Sequence, residues 1–119
     1  VKHEKPTADT ISCEQALIGA VLLNNEVLED LPRGLTSGHF SEAAHRRIWL
    51  EIERAIIAGR HLDPAGIGGA LLDDREFQEL GGIRYLADLV VMSPSSQAAC
   101  RAAEIILARD ADVAPCVPS

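Results

Sequence analysis

An all-α domain is the fold class this sequence predicts, and three observations predict it. Of the 119 residues, 47% are hydrophobic, drawn mostly from Leu, Ile, Val and Ala, with Phe40, Trp49, Phe77 and Tyr85 as the aromatics. Such a composition favours helices over strands, because Ala and Leu lose little on entering a helix. Apolar residues recur at spacings of three and four, the period that lines one helix face. Ser, Asp, Gly and Pro punctuate this pattern where helices start and stop. The expectation is a compact bundle of about six short helices over residues 11–110, between loose tails at 1–10 and 111–119.

The elements follow in order. Ser12 and Gln15 have the spacing of a capping box, so Ser12 opens the first helix. Leu17, Ile18, Val21 and Leu22 form its apolar face, and Asn24-Asn25 ends it. Glu26 to Leu31 make a short helix stopped by Pro32. Residues 32–40 read as a loop, pinned to the core by Phe40. Ser41 caps the clearest helix, residues 42–58, whose inward stripe is His45, Ile48, Trp49, Ile52, Ala55 and Ile56. Arg46, Arg47, Glu51, Glu53 and Arg54 face outward, and Gly59 is a C-terminal stop.

Asp63-Pro64 is a helix start, with Asp as the cap and Pro where a missing N–H costs nothing. The helix it opens, residues 64–73, carries Gly66, Gly68 and Gly69. Three glycines cost on the order of 2–3 kcal/mol relative to alanine. This element is therefore expected to be the weakest, anchored by Ile67, Leu71 and Leu72. A helical turn over 75–80 closes at Gly81-Gly82. Ile83 to Met92 form another helix, with Leu86, Leu89 and Val90 inward. Ser93-Pro94-Ser95-Ser96 breaks the chain before a last helix over 96–110.

Charge and motif content exclude several functions. The net charge is -7. A domain this acidic repels phosphate, so direct nucleic-acid binding through a basic face is not expected. Arg46-Arg47 is too small a basic spot for such a footprint. No GxxxxGK[ST] loop is present, and Gly66-Ile67-Gly68-Gly69 lacks the Lys-Ser/Thr that holds a nucleotide phosphate. His3, His39, His45 and His61 show no i,i+4 pairing that would place two metal ligands on one helix face. His45, on an apolar stripe, reads as a core histidine. Asp73-Asp74 and Glu29-Asp30 read as solvated charges. Cys13, Cys100 and Cys116 are odd in number and lack CxxC spacing, which fits reduced thiols and a cytoplasmic setting. No apolar run approaches the ~20 residues of a membrane span. The sequence thus predicts no catalytic residue, cofactor or metal. Its start at Val1 rather than Met fits a piece of a longer protein.

Four segments, in order, carry a family resemblance. Glu14-Gln15 followed by Leu17-Ile18-Gly19-Ala20-Val21-Leu22-Leu23 resembles the opening helix of the N-terminal domain of the DnaB family of bacterial replicative helicases. Phe40 followed by His45-Arg46-Arg47-Ile48-Trp49 is similar to that family's Phe-x₄-His-Arg segment, and Asp63 stands at the family's next helix start. Leu80-Gly81-Gly82-Ile83-Arg84-Tyr85-Leu86-Ala87-Asp88-Leu89 resembles its L-GG-x-x-YLA-x-L signature. Ser93-Pro94-Ser95, then Ala103, Ile105, Ile106 and Arg109, fit the turn and the start of a C-terminal helical hairpin. The sequence departs from the family at Gly66, Gly68 and Gly69, where good helix formers are usual. It departs again at Ala98, Ala99 and Ala102, where bulkier residues are usual.

The resemblance implies a non-catalytic collar and docking domain of a replicative DNA helicase. In the family a downstream motor hydrolyses ATP and unwinds DNA, while the N-terminal domains pair, form a collar on the hexamer and recruit primase. Expected partners are other copies of the chain and primase, with no direct nucleic acid and no membrane. The expected self-association residues are Ile105, Ile106, Leu107 and Arg109, and Ala98, Ala99, Ala102 and Ala103 would let a second helix approach. Phe40, His45, Trp49, Gly81, Gly82 and Tyr85 are expected as core and turn residues. The alternative is a diverged stand-alone helical module that binds a helicase or primase.

Overall fold

The computed structural model describes residues 8–32 and 34–113, the side chains of residues 8, 9, 96 and 109–113 excepted. Among the described residues seven α-helices follow one another: α1 Ala8–Leu23, α2 Val27–Asp30, α3 Ala43–Ala58, α4 Pro64–Ala70, α5 Arg75–Leu80, α6 Ile83–Val91 and α7 Ser96–Val113. A 3-10 turn, Ser37–His39, precedes α3. There is no strand among the described residues. The predicted fold class is therefore the observed one. Nor, among the described residues, is any helix long and apolar enough to cross a membrane.

The bundle is organised around α1. Residues 17–22 are buried on every side, the pattern of a helix enclosed by others rather than lying on a surface. α7 packs along one side of it and α6 crosses another. The crossing with α6 is close enough to need a glycine. A Cβ on Gly19 would stand 2.2 Å from the carbonyl oxygen of Leu89. On the α7 side, Ala99, Ala102 and Ala103 are buried together with Ile106. These small residues serve the approach of α7 to α1.

The first helix starts earlier than the sequence suggested. α1 begins at Ala8, so Ser12 lies within it and caps nothing, and Gln15 instead donates to the Tyr85 hydroxyl at 3.2 Å. At its other end Asn25 bonds to Val21 O at 2.8 Å, donates to Leu62 O and accepts from Leu62 N. That one side chain both caps α1 and fastens the loop before α4.

α3 matches its predicted bounds to within a residue, and Gly59 ends it at φ 73°. Its stripe is buried as expected through Ala55. Ile56, however, is 47% exposed, because α3 outruns the body it packs on at its C-terminal end. Phe40 and Trp49 meet with ring centroids 5.0 Å apart, forming the aromatic centre of the core. The cap expected at Ser41 is absent: Glu42 is the N-cap residue and makes no side-chain cap bond.

α4 is shorter than predicted, ending at Ala70, with Asp63 capping it through Gly66 N at 2.6 Å. Ile67 and Leu71 anchor it, while Leu72 is 61% exposed. Gly68 is buried, and a Cβ there would collide with Ile83 at 2.3 Å. It is a packing glycine that lets α6 lie against α4, whereas Gly69 faces open space. Gly81 and Gly82, at φ 127° and 65°, make the sharp turn into α6.

These glycines give opposite expectations for one substitution. Gly69→Ala should raise stability by up to about 1 kcal/mol, the propensity gain of a solvent-facing helical site. Gly19→Ala should lower it by about 1–3 kcal/mol or more, since backbone rather than a movable side chain occupies the space. Chemical denaturation of both variants checks this. Stabilisation by Gly19→Ala would show that α1 and α6 are not in close contact.

Candidate functional site

The polar chemistry of the domain is concentrated where α1, α3 and α6 meet. Glu14 stands three residues before Leu17 and four before Ile18, which places it on the inward face of α1. It is completely buried, as is His45 from α3. His45 Nδ1 lies 2.7 Å from Glu14 Oε1, and His45 Nε2 lies 2.7 Å from the Tyr85 hydroxyl on α6. The Ser41 N–H and O–H both donate to Glu14 Oε2, at 2.6 and 2.7 Å, and Glu42 N–H donates to Oε1 at 3.3 Å. Ser41 is thus used to hold Glu14 instead of capping α3.

The bonds assign donors and acceptors along the chain. The carboxylate can only accept, so His45 Nδ1 carries a proton. With His45 neutral and its Nε2 the acceptor, the Tyr85 O–H donates to it, while the amide of Gln15 donates to the Tyr85 oxygen. The resulting order runs from Gln15 through Tyr85 and His45 to Glu14, with every group satisfied. Burial pulls the Glu14 carboxyl upward. The bonds from His45 and from the Ser41 backbone and hydroxyl, with the attraction of His45, outweigh burial and hold it below its ordinary value. Burial raises the Tyr85 phenol, only partly opposed by the Gln15 bond, so it stays protonated and donating.

The neighbouring charges are structural too. Arg46 donates to the carbonyls of Phe40 and Ser41, each at 3.0 Å, closing the loop before α3. Arg47 pairs with Asp74 and Glu76. Asp74, expected as a solvated charge, also caps α5 by accepting from Phe77 N at 2.9 Å. Cys100 donates to Asp30 O at 3.2 Å. Cys116 and His3 lie outside the described residues. Among the described residues no group of His, Cys, Asp and Glu is placed to hold a metal. No buried side-chain nitrogen or oxygen lacks a partner there.

Of the predicted core and turn residues, Phe40, His45 and Trp49 are buried, Tyr85 is half-buried, and Gly81 and Gly82 make the turn into α6. Of the predicted self-association residues, Ile105, Ile106 and Leu107 are consecutive and turn to different sides of α7. Ile106 is 2% exposed and belongs to the domain's own core, because α7 turns that side onto α1. Leu107 is half-buried, Ile105 is 48% exposed, and the side chain of Arg109 is outside the described residues. Glu14, Ser41 and Gln15 were missed as site residues. The helical spacing of Glu14 to Leu17 and Ile18 was the signal that could have found the first of them.

These features define a helical-bundle domain whose buried polar groups tie helices together. The same architecture occurs in the crystal structure of the N-terminal domain of DnaB helicase from Mycobacterium tuberculosis. The TM-score is 0.74 at 24% identity, covering 92% of this chain and 80% of that one. The model of the DnaB-like helicase N terminal domain matches residues 7–108, and the chain belongs to that family. The replicative DNA helicase DnaB of Rickettsia typhi is 40% identical over 83 residues, which are 70% of this chain and 17% of that protein. That of Geobacillus stearothermophilus is 29% identical over 93 residues, 78% of this chain and 20% of that protein. The chain thus spans about a fifth or less of the length of these relatives.

Proposed function

We propose that this domain serves DNA replication as the collar and docking domain of a replicative helicase, associating with other copies of itself and recruiting primase, without catalysing a reaction. Membership in the DnaB-like N-terminal domain family carries this reading. The internal chemistry is compatible with it: the buried glutamate and histidine and the half-buried Tyr85 hydroxyl bond to one another in one network. A cytoplasmic location and a hexameric parent with an ATP-driven, DNA-binding motor belong to the same proposal.

The alternative of a diverged stand-alone module drew on the glycines of α4 and the alanines of α7. Gly68 is matched to Ile83, and Ala99 and Ala103 lie in the core, so these residues have roles in this domain's own packing. Gly69 and Ala98, which are exposed, have no such packing role.

Light scattering of the chain, alone and mixed with the C-terminal domain of its cognate primase, tests the proposal. A mass that stays monomeric in both, near millimolar concentration, would overturn it. Ile105→Glu, at an exposed position of α7, should weaken self-association while leaving the fold intact. Ile106→Glu should unfold the domain by burying a charge without a partner. The isolated chain should show no ATPase and no measurable affinity for single- or double-stranded DNA at physiological salt, given its net charge of -7. Salt-sensitive micromolar binding in a DNA titration would contradict this.

A further inference from the structure

Between α1 and α6, beside Tyr85, lies an open cavity of about 340 Å³. Ala16, Leu89 and Met92 supply apolar lining, and Gln15, Tyr85 and Asp88 supply polar groups. Gln15 and Tyr85 are already bonded to each other, and Tyr85 also to His45. The Tyr85 and His45 rings lie nearly parallel, with centroids 6.0 Å apart. These two lining residues are therefore held in place before any ligand arrives. Asp88 differs: it is exposed, and its carboxylate has no hydrogen bond or ion pair among the described residues, although Arg84 stands one turn before it on α6.

A free carboxylate at the edge of an apolar lining selects a cation carried on an apolar stem. An aromatic ring and a thioether add to that preference. The acidic charge of the whole chain favours the approach of such a group. A second, more apolar cavity of about 220 Å³ shares Ser12 and Ala16 with the first and runs toward Arg101 on α7. Arg101 repels a cation at that end, so the charge belongs at Asp88 and apolar groups beside it. We propose that this cavity is a binding site for a guanidinium or ammonium group on an apolar stem, presented as an arginine or lysine side chain by a partner protein. Naming a protein as the source rests on the docking reading above; the chemistry of the site does not.

The test is an NMR titration of the isotope-labelled chain with phenethylguanidinium and with its neutral analogue phenethylurea. The cation should shift the amides of Gln15, Tyr85, Asp88 and Met92, and the urea should bind roughly tenfold more weakly. Asp88→Asn, at an exposed position, should keep the fold and abolish the preference for the cation. Equal affinity for the two probes, or shifts centred away from α1 and α6, would overturn the site. Sedimentation with and without the cation separates the sources: a dimer that dissociates on its addition would show that a second copy fills the cavity and would overturn the assignment to another protein. If primase binding and self-association both prove absent while the cation still binds at Asp88, the docking reading fails and the site stands.

Discussion

Trp49→Ala should cost about 3–5 kcal/mol, enough to leave the domain largely unfolded at physiological temperature. Trp49 is 3% exposed and packs on Phe40 within a mostly aliphatic core. Truncation removes the largest side chain of the bundle and leaves a cavity that Leu, Ile and Ala neighbours on rigid helices cannot fill. Phe40 loses its aromatic contact as well. Trp49→Phe keeps most of the volume and should lose only part of this. Denaturant unfolding followed by circular dichroism checks both. An alanine variant that melts within a few degrees of the parent would show that the ring contributes little to the core.

Glu14→Ala should cost on the order of 3–5 kcal/mol. The loss is large because one carboxylate serves four donors, from Ser41, Glu42 and His45. Removing it strands the buried His45 N–H, while water can reach the Ser41 side. Glu14→Gln keeps the shape but turns an amide N–H₂ toward groups that themselves donate, so it should be intermediate. The dependence on pH follows from the lowered folded-state value of Glu14. A group depressed on folding stabilises the fold above its unfolded value and loses that contribution as pH falls through the folded one. The stability gap between the parent and Glu14→Gln should therefore be full at pH 7 and shrink below roughly pH 4.3, the ordinary glutamate value. A gap that is the same at pH 7 and pH 3 would show that the ionised carboxylate is not what the network holds.

Much of this was readable from sequence where the controlling interaction is local. The Asp63 cap, the Gly59 stop, the turn at Gly81-Gly82 and the buried face of α3 up to Ala55 all depend on residues within a few positions of one another. Periodicity and capping chemistry report such features directly. The errors came at ends and faces decided by distant neighbours. Ser41 has the chemistry of a cap, but Glu14, 27 residues away in sequence, competes for it and wins. Ser12 and Gln15 fit a capping box, yet the chain was already helical, and Gln15 turned to Tyr85.

The glycines and the acids show the same division most clearly. By propensity Gly66, Gly68 and Gly69 are alike, and nothing in one sequence separates them. Only the arrival of Ile83 makes Gly68 a packing residue while Gly69 stays in open space. A glutamate on an apolar stripe likewise reads as an anomaly until Ser41 and His45 are brought to it, and Tyr85 to His45, from distant parts of the chain. By itself the sequence determined that the chain is helical, where most helices stop, and which family it resembles, because these depend on short-range pattern. The tertiary structure decided which small residues are contacts, which charges are buried and which face of α7 is spent, because each turns on a neighbour that no sequence spacing places.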